Sequence, residues 1–296
     1  MAFSFRSSDP SPGAGLRRIA ASQLASALTA LEDEALGPDE TAHQVRRRCK
    51  KVRALVRLAR PAFAEYDAVN AVLRDTARLL APMRDAKVRA ETFDRLMAIY
   101  AGDLSEEDLE PARRVLAARH HAVIARDAPV VFDVVRANLA ALSEDTESWH
   151  LDPDNMASLE VGLMKTYRKA RRTFAAAVKT RDGELIHEWR KFAKYHWLHL
   201  RLLGKGAGAP TAPRIVALDQ ITDWLGEHHD LLILQELLRD QDLALAVSEE
   251  VHEALRSRLD DLEIRALDVG RTLFASSEEN VRLLPGRGAT AAIAQP

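Results

Sequence analysis

The sequence predicts an all-α protein, and three observations carry that prediction. Alanine, leucine, arginine and glutamate dominate a chain that is 47% apolar, 29% charged and only 5% aromatic. Such side chains lose little freedom in a helix. Apolar residues recur at helical spacing along most of the chain, and no alternating strand pattern stands out. Glycine, proline and serine punctuate the periodic stretches. With 296 residues the chain can bury a substantial core.

The elements follow in order. Residues 1–13 read as a flexible lead. A first helix covers about 14–35 and stops at Gly37-Pro38; a second starts near Asp39, a good N-cap, and ends around Arg60-Pro61. Helical periods then cover 66–80, 84–100, 106–125 and 129–142. The polar stretch 143–155, with Pro153, reads as a boundary inside one domain spanning 14–280, dividing it into halves 14–150 and 151–280. Beyond it come helices over 156–180, 184–203, 213–225, 229–240 and 244–274, a loop over 204–210 and a second flexible terminus over 285–296.

The net charge of −2 conceals a strong asymmetry. Residues 43–60 hold eight Lys/Arg and no acid, 165–181 hold seven and no acid, and 187–201 hold four against Glu188. These fifty residues therefore carry +18 and the other 246 carry −20. A basic feature sits on an acidic body.

The basic stretches repeat. His43, Arg46, Arg47, Lys50, Arg57 and Leu58 recur 144 residues later as His187, Arg190, Lys191, Lys194, Arg201 and Leu202. A second echo, Leu80 to Asp85 against Leu225 to Asp230, follows at a step of 145. The pattern reads as a duplication, with two related four-helix-bundle-like halves in a pseudo-two-fold arrangement.

At 100° per residue, His43, Arg46, Arg47, Lys50 and Arg57 share one side of a helix, and Val45, Cys49, Val52, Val56 and Ala59 the other. In the second copy His187, Arg190, Lys191, Lys194 and Arg201 face away from Trp189, Phe192, Ala193, Leu200 and Leu203. Like charges one turn apart weaken a helix by roughly a few tenths of a kcal/mol per pair. A polyanion on that face would offset the repulsion. Arginine offers phosphate a planar fork and lysine a point charge, and a histidine one turn earlier adds a donor. A third stretch, Lys165, Arg168, Lys169, Arg171 and Arg172, adds to the same chemistry.

Other classes find less support. The lone Cys49 excludes an internal disulfide and a cysteine-based zinc cage. No secretory leader and no apolar run of about 18 residues is present, so a cytoplasmic protein without a membrane span is expected. There is no phosphate-binding Gly-rich loop and no Gly-x-Ser-x-Gly elbow, and His187-Glu188 lacks the second histidine of a metalloprotease helix. A non-catalytic protein without metal or cofactor is expected; a phosphate-ester or polyphosphate-processing enzyme is an alternative. His120-His121 and His228-His229 are adjacent pairs whose rings diverge by about 100° on a helix, and His196 falls on an apolar side. A basic helix face also fits an RNA or DNA backbone, the second alternative, although Tyr195 is the only aromatic beside it.

In their order and spacing these residues resemble the CHAD domain family, the conserved-histidine α-helical domain. Its His-x-x-Arg-x-x-x-(Arg/Lys) helix is matched by His43, Arg46, Arg47, Lys50, Lys51, Arg53 and Arg57. Its Tyr-Arg-x-x-Arg helix is matched by Tyr167, Arg168, Arg171 and Arg172, and its second histidine helix by His187, Arg190, Lys191 and Lys194. The turns at Arg84-Asp85 and at Leu225-Gly226 to Asp230 are similar too. The likeness spans about residues 14–275 and implies a stand-alone domain with a basic central groove or pore. It further implies binding of inorganic polyphosphate through these residues and Arg201, and a place at polyphosphate granules. The chain departs from the family at Trp197-Leu198, Arg201 and Lys87.

Overall fold

The computed structural model describes residues 3–100, 106–204, 211–239, 247–275 and 281. Among these the chain forms nine α-helices, one short 3-10 turn and no strand. Helix α1 (Pro12–Glu32) begins on Ser11, whose Oγ accepts from the Ala14 N–H at 3.2 Å. Pro12 sits in the first turn, where no N–H is needed. Helix α2 (Pro38–Ala59) also opens on proline, and Asp39 and Glu40 complement its N-terminal dipole. It buries Val45, Cys49, Val52, Val56 and Ala59, the apolar side expected of it.

Helix α3 (Tyr66–Leu79) follows, then α4 (Ala81–Ile99), which starts ahead of the expected residue 84 because Pro82 is accommodated in its first turn. Helix α5 (Glu106–Asp145) is continuous where two helices were expected. Pro129 removes one backbone donor, but Pro129 and Ala125, whose carbonyl loses its partner, both lie on the exposed stripe, where water can serve. Asn155 caps α6 (Met156–Thr180), which ends on Arg181 in a left-handed conformation at φ 51°. The Asp182 carboxylate accepts from the Leu185 N–H at 3.0 Å and starts α7 (Gly183–Leu203). Helix α8 (Thr211–Leu237) is again continuous, through the expected break at 226–228, and α9 (Glu249–Ala275) closes the fold. Residues 205–210 of the expected loop, residues 240 and 244–246 of the expected helices, and the tail from 285 lie outside the described residues.

Successive helices pack as neighbours: α1 on α2, α2 on α3 and α4 on α5, then α6 on α7, α7 on α8 and α8 on α9. Helix α2 also meets α4, α6 and α7, and α4 meets α8. Helices α2 and α6 cross closely at Gly162, where a Cβ would lie 1.9 Å from the Leu58 carbonyl oxygen. Nearby, His199 Nε2 lies 3.0 Å from the Ala54 carbonyl and must carry the proton to donate there. One large apolar cluster includes Leu55, Leu58, Tyr167 and Trp189. A second combines Phe93 and Leu96 of α4, Leu116 of α5, Leu234 of α8 and Leu255 of α9.

The lead ahead of α1 is held against this body from Phe3 onward. Phe3 and Phe5 pack on the large cluster, the Phe5 N–H donates to the Leu202 carbonyl at 2.8 Å, and Asp9 pairs with Arg18 at 2.7 Å. Among the described residues no helix is long and apolar enough to cross a membrane.

Candidate functional site

Helices α2, α4, α7 and α8 bring charged residues together where they meet. Arg84 of α4 bridges Asp85 at 3.1 Å and Asp230 of α8 at 3.1 Å, tying the two helices. Arg190 of α7 lies against Gly226 of α8; a Cβ at Gly226 would stand 3.2 Å from its Nη2. A mid-helix glycine costs about 1 kcal/mol against alanine, and here it makes room for a guanidinium. Arg46 of α2 donates to the Ala77 carbonyl. Lys194 Nζ donates to Thr222 Oγ1 at 3.2 Å, lies 4.0 Å from Asp219 and sits 3.9 Å from the Trp197 ring centroid. The rings of His187 and His229 stand 4.2 Å apart. No third histidine, cysteine or carboxylate completes a metal-binding group among the described residues.

The cluster is short of negative charge. Among the described residues Lys50 and Arg190 have no carboxylate within 4.0 Å. Arg190 Nε and His187 Nδ1 are shut from water without a hydrogen-bond partner. Enclosure by protein, then repulsion from Arg46, Arg84 and Arg190, pushes the Lys50 ammonium down to about 7, against the pull of Asp230. Water nonetheless reaches Lys50, which stands in an open recess rather than a sealed core. His229 is pushed down to about 4 by burial and by His187, Arg190 and Arg84. Burial, and then Arg190, lowers His187 as well. Each of these groups would regain its proton more readily beside an anion.

The recess opens into a cavity of about 470 Å³. His43, Arg46, Arg47 and Lys50 line it from α2, Arg84 and Lys87 from α4, and Lys194 from α7. Its three acids are already engaged: Asp39 with His120 at 2.8 Å, Glu40 with Gln44, and Glu91 with Lys87 at 3.5 Å. With six Lys/Arg side chains against these three carboxylates, the lining of the cavity is net positive.

Of the residues read from the sequence, His43, Arg46, Arg47, Lys50 and Lys194 line the cavity, and His187 and Arg190 stand in the adjoining cluster. Lys51 lies 5.2 Å from the Phe3 ring centroid and is pushed down to about 8 by burial, then by Arg48, Arg47 and Arg201. Arg201 is exposed, 4.6 Å from the Trp197 ring centroid. Arg53 donates to Asn70 of α3 at 3.1 Å, Arg57 lies over Tyr195 at 4.4 Å, and Lys191 pairs with Glu188. Arg168, Arg171 and Arg172 are exposed on α6 and do not line this cavity. Arg84, Lys87 and His229 were not among the expected site residues. The echo between 80–85 and 225–230 is the signal that could have found Arg84 and His229.

The model of the CHAD domain family matches residues 18–239. No curated protein matches the sequence significantly. The CHAD domain from the plant Ricinus communis, seen in a crystal structure, is 20% identical; it superposes with a TM-score of 0.61 over 94% of this chain and 96% of that one. PptA from Streptomyces chartreusis is 14% identical, with a TM-score of 0.59 over 88% of this chain and 99% of its own. At these identities the likeness is one of fold.

Proposed function

The chain belongs to the CHAD domain family, and from that premise we propose that it binds inorganic polyphosphate, without chemistry, in a basic groove between α2, α4, α7 and α8. The observation that carries this reading is the pair Lys50 and Arg190, with no carboxylate within 4.0 Å, beside Arg46 and Arg84 and next to a cation-lined cavity. Polyphosphate carries about one charge per unit and no sequence, so its recognition rests on charge-assisted hydrogen bonds. We read α1–α5 and α6–α9 as two related halves about a pseudo-two-fold axis. The matched packing of α1 on α2 and α6 on α7 supports this, as does the shared basic motif of α2 and α7. We place it in the cytoplasm at polyphosphate granules, the location that the family resemblance implies.

The test is a titration with long-chain polyphosphate at physiological salt, with duplex DNA, single-stranded RNA and orthophosphate as competitors. Tight binding displaced by polyphosphate alone is expected, with loss of at least a hundredfold in affinity when Arg46→Glu and Arg190→Glu are combined in a protein that stays folded. Displacement by RNA at equal phosphate would turn the reading toward a nucleic-acid backbone. Shortening of the chain on a gel would turn it toward an enzyme.

A further inference from the structure

A second cavity, of about 620 Å³, lies between the end of α3, the start of α4, the middle of α5 and the C-terminal end of α8. We propose that it binds a small anionic amphiphile, a phosphate or carboxylate ester carrying an apolar chain or ring. Its walls are apolar for a structural reason. Val123 belongs with the large cluster and Leu116 and Leu237 with the second, so the cavity is the seam where two cores meet without filling the space between them. Seams between helices at this scale, about 300–1,000 Å³, are the usual setting of small-molecule pockets.

Three arginines, Arg78, Arg89 and Arg119, reach this apolar seam, from α3, α4 and α5. The one acid there, Asp85, is already held by Arg84 at 3.1 Å. Among the described residues Arg89 makes no hydrogen bond or ion pair, and its Nε is shut from water. Arg78 has only an exposed contact of 3.5 Å with Asp75. A guanidinium without an acceptor beside apolar walls is matched by a ligand with one anionic group and one apolar body. Bare polyphosphate would leave those walls unused.

The site is also distinct from the first. Arg84, Lys87 and Glu91 line the first cavity, while Pro82, Asp85, Ala86 and Arg89 line the second. At 100° per residue these sets occupy roughly opposite sides of α4.

The test is calorimetry of the full chain with octyl phosphate, inorganic phosphate and octanol. Octyl phosphate is expected to bind at least tenfold more tightly than either of the others. Arg89→Ala should weaken it at least tenfold while leaving polyphosphate affinity unchanged. Ala122→Phe should block it without harming the fold, because Ala122 is exposed and lines the cavity. Equal binding of inorganic phosphate, insensitivity to both variants, displacement by polyphosphate, or no binding at millimolar concentration would each overturn the proposal.

Discussion

Lys50 is the residue at which stability and binding pull apart. In the unfolded chain its ammonium titrates in the ordinary lysine range, whereas in the fold it is pushed down to about 7. Between those values the unfolded state holds the extra proton, so this site's contribution to stability rises with pH from about 7 toward the ordinary lysine value. Below about 7 the folded protein carries the full cost of enclosing that charge, and with it the repulsion of Arg46, Arg84 and Arg190. Lys50→Met should therefore raise the melting temperature at neutral pH, on the order of 2–4 °C for each kcal/mol relieved, while weakening polyphosphate binding. In the native protein a bound polyanion drives Lys50 back to its charged form. Affinity should fall as pH rises above about 7, by at most about tenfold per pH unit for one coupled proton. His187 and His229, which face the same cluster, are also lowered, chiefly by burial, so any proton they regain beside the polyanion adds to the same fall. Calorimetry at pH 8 in two buffers of different ionisation enthalpy should show proton uptake that disappears in Lys50→Met. Affinity unchanged between pH 6.5 and 8.5 would contradict this coupling.

At the scale of elements, the crossing of α2 and α6 sets where the basic face of α2 stands. Gly162 allows the approach, since a Cβ there would lie 1.9 Å from a backbone oxygen that no rotamer change can move. Gly162→Ala has to push the helices apart, and overpacking of this kind costs about 1–3 kcal/mol. Denaturant melts should show that loss, with polyphosphate affinity falling in parallel; a neutral result would mean that the helices slide freely past each other. This crossing was not legible in the sequence, because nothing in the chain pairs Gly162 with Leu58. The helix faces were legible: Val45, Cys49, Val52 and Val56 are buried together because a periodicity of 3.6 leaves them no other side. Helix ends were less so. Pro129 and Gly226 read as punctuation, yet one lies where water replaces its missing donor and the other makes space for Arg190. The same limit hid part of the polyphosphate site and the second cavity. Single-helix periodicity shows that Arg46 and Lys50 share a face, but Arg84, Lys87 and Arg89 acquire their neighbours only when α4 packs between α2, α5 and α8.

For the whole molecule the decisive quantity is how many of its cations a polyanion engages. The overall charge of −2 would suggest weak attraction, but the acidic body repels polyanions everywhere except at the basic stretches. Counterion release turns that geometry into a number. For a flexible single chain the slope of log affinity against log salt is about −0.7 per phosphate neutralised. The seven cations around the first cavity and its adjoining cluster are Arg46, Arg47, Lys50, Arg84, Lys87, Arg190 and Lys194. Engaged together they give a slope near −5, and less if Arg84 keeps its bridge to Asp230. If the exposed arginines of α6 joined them, the slope would steepen to about −7. The triple variant Arg168→Ala, Arg171→Ala, Arg172→Ala separates the cases. We expect it to leave both affinity and slope unchanged, because those side chains do not line the cavity. The pair Arg46→Glu and Arg190→Glu should flatten the slope by at least two charges' worth. A triple variant that flattens it instead would move the binding track from the join of α2, α4, α7 and α8 onto the outer face of α6.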